Sequence, residues 1–169
     1  MPLPLDAEHL DVTVGGLARE ELRARLDARG VLLNAHAEQL LADAACDEPV
    51  EHVAVVHLSV ADLGFPAGAT LPQLFVGAQE QGLALCPPLT GPYLRLAMAD
   101  QASAPDAVLS SGRAPSGSLT VASPVLGDDD EYPKGFYLRV IDGRPWLRGY
   151  RCDDEHLFSP DDRFAFRRP

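Results

Sequence analysis

Cys86 stands directly before Pro87-Pro88 at the end of an apolar run, and His57 stands inside another apolar run. A thiol and an imidazole can act as nucleophile and base where a fold brings them together. They are therefore the catalytic candidates, with ordinary core packing as the competing role for each. Cys152-Asp153-Asp154-Glu155-His156 is the densest group of metal-ligating side chains. Asp154 and His156 are its candidate ligands, but adjacent residues cannot all converge on one ion, and a solvated turn is the plainer expectation.

The third chemistry is recognition. Phe136 to Ile141 and Arg144 to Arg151 flank Asp142-Gly143, a pair suited to a two-residue type I′ reversal. With Ile141 opposite Arg144, Arg139 falls opposite Trp146 and Tyr137 opposite Arg148. One face of the hairpin then carries Tyr137, Arg139, Ile141, Arg144, Trp146, Arg148 and Tyr150, and the other Phe136, Leu138, Val140 and Leu147. Arginine against aromatic rings supports cation–π stacking and can hold a carboxylate or phosphate. Tyr137, Arg139, Trp146, Arg148 and Tyr150, together with Arg95, are thus the candidate ligand-binding residues. The bland alternative is that such a ladder only stabilises the sheet.

The elements that must position these groups follow from spacing and punctuation. Leu17 to Ala28 reads as a helix stopped by Gly30, with Leu22 and Leu26 stacked at i, i+4. Asn34 is a good N-cap for a second helix carrying Ala37, Leu40, Leu41 and Ala44, so 17–46 is expected to form a helical hairpin. Val53 to Val60 reads as a strand buried on both faces. Thr70 caps a third helix ending at Gly82. Leu83 to Cys86, Tyr93 to Met98, Ser118 to Ala122 and Arg163 to Arg167 read as further strands, and 99–117 as a long loop. The expected fold is α+β in a single domain over 1–169: an arm at 1–16, the helical hairpin at 17–46, and 50–169 as a mainly antiparallel sheet with one further helix.

The chain has 169 residues, 25 acidic against 14 basic, and a formal charge of −11. That length supports one domain with a substantial core. The net field repels phosphate and disfavours nucleic acid. No apolar run reaches the ~18 residues of a membrane span, and the first residues lack the pattern of a secretion signal. Three widely spaced cysteines suit a reducing cytoplasm. Phosphate-loop, dinucleotide-fold, nucleophile-elbow and H-E-x-x-H patterns are absent, and no cofactor is expected.

Leu85-Cys86-Pro87-Pro88 with Gly91-Pro92-Tyr93-Leu94-Arg95-Leu96, Pro133-Lys134-Gly135-Phe136-Tyr137-Leu138-Arg139, Trp146-Leu147-Arg148-Gly149-Tyr150-Arg151 and Ser159-Pro160-Asp161-Asp162-Arg163-Phe164 resemble a family of uncharacterised bacterial proteins. The resemblance implies a small cytoplasmic bacterial protein and assigns no functional residue. The expected function is a binding or accessory protein that recognises a protein partner or a small anionic ligand through the Arg/aromatic face. The alternatives are a small hydrolase or transferase using Cys86 or His57, and an antitoxin- or immunity-like protein binding through its acidic surface.

Overall fold

In the computed structural model, which describes residues 9–98, 101–104 and 117–169, Asp142 and Gly143 take φ of 51° and 76°. Both values lie in the left-handed region that a type I′ reversal requires, which an Asp-Gly pair tolerates. The hairpin joins β6 (Gly135–Ile141) to β7 (Arg144–Tyr150) in the register expected from the sequence, with Ile141 opposite Arg144, Arg139 opposite Trp146 and Tyr137 opposite Arg148.

Around it lie β1 (His9–Val14), β2 (Leu32–Leu33), β3 (Glu51–Ser59), β5 (Leu119–Val121) and β9 (Arg163–Arg168), which with the hairpin make one seven-stranded sheet of order β1-β3-β9-β5-β6-β7-β2. The pairs β5–β9 and β2–β7 are parallel and the rest antiparallel. A separate two-stranded sheet pairs β4 (Ala69–Thr70) with β8 (Leu157–Phe158). Helices α1 (Arg19–Ala28), α2 (Ala35–Asp43), α3 (Leu71–Glu80) and α4 (Thr90–Ala97) complete the described elements.

The sheet is covered on both sides, so neighbouring residues serve different cores. Val55 packs with Leu22, Leu41, Leu94, Phe136 and Leu138 under α1, α2 and α4. Val56, the next residue, packs with Leu74, Phe158, Phe164 and Phe166 under α3. This alternation accounts for the unbroken apolar run Val53 to Val56 in the middle of β3, as burial on both faces requires.

Two helix starts match their sequence signals. The Asn34 side chain accepts from the Ala37 N–H at the head of α2. At α3, Thr70 and Gln73 form a reciprocal capping box with Pro72 in the first turn. The α+β class with a mostly antiparallel sheet is present, but β2 stands between α1 and α2 and ties that segment to β7.

Three other expectations are corrected. Tyr93 to Met98 is not a strand: Tyr93 to Ala97 are most of α4, whose first turn holds Thr90, Gly91 and Pro92, and Met98 is its C-cap. Alternation by residue type misleads there because Thr90 to Arg95 are all buried, which erases any amphipathic period. Gly91 permits that burial, since a Cβ there would stand 2.6 Å from the Phe136 Cβ. Leu83 to Cys86 makes only one bridge, Ala84 to Arg167, where β5 has already left the side of β9. The arm contains β1 from His9 onward, while residues 1–8 lie outside the described residues. The same holds for 99–100 and 105–116 of the expected loop.

Candidate functional site

The Arg/aromatic residues share one side of the hairpin, and that side faces the α3 core. Arg139 is fully buried and Tyr137 is 7 % exposed, whereas Trp146, Arg148 and Tyr150 are half-buried. The Arg148 guanidinium lies 4.6 Å from the centre of the Trp146 ring, a cation–π contact between residues two apart on one strand. Burial raises the Tyr137 hydroxyl above its ordinary value, against the opposing pull of Arg148 and Arg139. The Tyr150 ring meets Phe158 edge-on at 6.5 Å. Tyr137 and Arg139 therefore form the base of the cluster, and Trp146 and Arg148 are its accessible part.

Cys86 lines a cleft of about 620 Å3 whose apolar walls include Leu85, Pro87 and Leu89, and His57 is not among its lining residues. The cleft's Glu51 and Arg167 neutralise each other at 3.3 Å. Cys86 itself is fully buried, its Sγ 3.8 Å from the Ala165 carbonyl oxygen. Burial pushes its thiol up to about 12, the reverse of what a nucleophilic cysteine needs. Native protein at pH 8 should label at Cys46 and Cys152, which are half-buried, before Cys86. Thiol labelling read by peptide mass spectrometry checks this, and prompt labelling of Cys86 would contradict it. The folded thiol ionises near 12 against 9.0 for a free one, so its contribution to stability is complete below pH 9 and falls away between 9 and 12.

Asp154 is exposed, and the His156 ring is held edge-on against Phe158 at 4.7 Å. Among the described residues no group of three or more His, Cys, Asp or Glu is placed to hold a metal ion.

Arg95 lies elsewhere. It sits in the last turn of α4, on the side of the sheet opposite to Arg139, and is 4 % exposed. Its guanidinium donates from Nη1 to Gln101 Oε1 at 2.7 Å and to the Trp146 carbonyl at 3.4 Å, and from Nη2 to the Met98 carbonyl at 2.8 Å. Nε is buried with no hydrogen-bond partner. All of these acceptors are neutral. Burial holds the guanidinium below its ordinary pKa, and a buried charge without a counter-charge is an expensive arrangement.

Gln101 is itself fixed, because its Nε2 donates to the Leu138 and Gly117 carbonyls. Arg95 and Gln101 line a pocket of about 400 Å3 with Arg29, Ser103 and the apolar side chains of Val31, Leu96, Met98, Val140 and Pro145. No acidic residue is among the described residues that line it.

Arg29 follows the last residue of α1 and reaches the Leu96 carbonyl at 3.5 Å. Both arginines thus meet the C-terminus of α4, which carries roughly half a negative charge. That end offsets only a part of their two positive charges. The sequence reading named Arg95 and missed Arg29 and Gln101. The available signal for Arg29 was its place just before Gly30, where a basic side chain meets the last carbonyls of a helix.

No family model, curated protein or solved structure matches this chain. The functional reading therefore rests on the pocket.

Proposed function

We propose that the protein is a non-catalytic binding protein for a small organic anion, held between the ends of α1 and α4 and the β6–β7 reversal. One observation carries the reading: on a chain of charge −11, the buried Arg95 guanidinium has only neutral acceptors among the described residues and shares its pocket with Arg29. An anion there completes the unfilled Nε donor and supplies the missing counter-charge. Among the described residues that line the pocket none is a cysteine or a histidine, which favours binding over catalysis. Three unpaired cysteines support a reducing, cytoplasmic location for the protein.

A second reading keeps a protein partner at Trp146 and Arg148, supported by their cation–π contact on the accessible part of the hairpin. Melting temperature separates the two. A saturating organic anion at a hundred times its Kd stabilises by about 2.7 kcal/mol, which is about 5–10 °C for a chain of this size. Arg95→Gln should remove that rise, measured against sodium chloride of equal ionic strength, and Arg148→Gln should leave it intact. Loss on Arg148→Gln alone would move the site to the hairpin face.

A further inference from the structure

Resting on the anion-binding reading, we infer that the ligand of this pocket is a monocarboxylate with an apolar body, not a phosphate dianion. The charge balance comes first. Arg29 and Arg95 supply two positive charges, and the carbonyls they meet, Leu96 and Met98, both belong to the C-terminal end of α4, which offsets about half of one charge. The positive charge that remains calls for an anion. A phosphate dianion would turn its additional oxygens toward those carbonyls, which a single carboxylate avoids.

Donor geometry agrees. Arg95 has an unfilled Nε donor beside Nη atoms that are already engaged, so it offers one charge-assisted bond to a single carboxylate oxygen. The walls supply the third argument. Val31, Leu96, Met98, Val140 and Pro145 give the pocket an apolar lining beside its two arginines. A hydrated phosphate gains nothing from them, but an alkyl or aryl body does. A volume of about 400 Å3 accommodates a chain of several carbons.

The test is isothermal titration of the full chain at pH 7 in low salt with acetate, butyrate, hexanoate, 1-hexanol and inorganic phosphate. Affinity should rise through the carboxylate series by roughly fourfold per methylene buried. Hexanol should bind at least tenfold more weakly than hexanoate, and phosphate more weakly still. Arg95→Gln should weaken hexanoate by about ten- to a hundredfold. Arg29→Gln, at an exposed position that leaves the core untouched, should weaken it several-fold and guards against a folding artefact. Phosphate binding more tightly than hexanoate, and lost in Arg95→Gln, would overturn the carboxylate class while leaving the anion site standing. Hexanol binding as tightly as hexanoate would overturn the role of charge. No binding of any anion would overturn the anion reading itself.

Discussion

Asn34→Ala should lower the stability of the protein by about 3 kcal/mol, a fall of roughly 6–12 °C in melting temperature for a chain of this length. Asn34 is more than a helix cap. Its Oδ1 accepts from the Ala37 N–H at 2.8 Å and from the Gly149 N–H at 2.9 Å, and its Nδ2 donates to the Gly149 carbonyl at 3.1 Å. The carboxamide thus meets β7 as a peptide group would, and continues the edge after β2 ends at Leu33. Losing the cap costs about 1 kcal/mol. The two bonds to Gly149 add about 1 kcal/mol each, because both partners stay behind part-buried. Asn34→Asp should recover part of the loss, since a carboxylate keeps both accepting contacts but turns an oxygen toward the Gly149 carbonyl. Thermal unfolding of the three proteins checks the order wild type, Asp, Ala, and an Ala variant within 1 kcal/mol of wild type would refute the account.

Phe164→Ala should cost more, about 3–5 kcal/mol. Phe164 is fully buried, meets Phe158 edge-on at 5.1 Å and lies 6.2 Å from Phe166. Truncation leaves a cavity among rings that the paired strands hold in place. Total stability for a domain is about 5–15 kcal/mol, so this one substitution removes a large share. Arg163→Ala, at the exposed neighbour, should change stability by no more than about 0.5 kcal/mol. Urea unfolding gives both values. The aromatic layer lies under α3, on the far side of the sheet from the Arg95 pocket, so Phe164→Ala should keep its anion affinity while folded.

What the sequence made legible is what short-range chemistry decides. Asp142-Gly143 set the hairpin and its register, Asn34 and Thr70 announced α2 and α3, and Gly30 closed the region after α1. Helix α4 was hidden because six successive buried residues leave no polar face to reveal a period. The far side of the hairpin was hidden for a related reason. Tyr137 and Arg139 look like a surface by composition, and only their burial in the folded chain shows that this side of the sheet has an interior. Arg95 stood out by its type, but its meaning depends on Arg29, which reaches the end of α4 from a distant part of the chain. No local pattern encodes that meeting.

The position of β9 has a consequence for how the molecule comes into being. This strand is the last of the nine described strands in chain order, yet it occupies the third place in the sheet, between β3 and β5. The two halves of the sheet, β1 with β3 and β5 through β7 with β2, meet only across it. A nascent chain on the ribosome therefore holds two unfinished ribbons, with Val56 and Leu58 lacking their Phe164 and Phe166 neighbours, until residues 163–168 emerge. Completion is a single late insertion, and it sets the window in which a chaperone has most to shield.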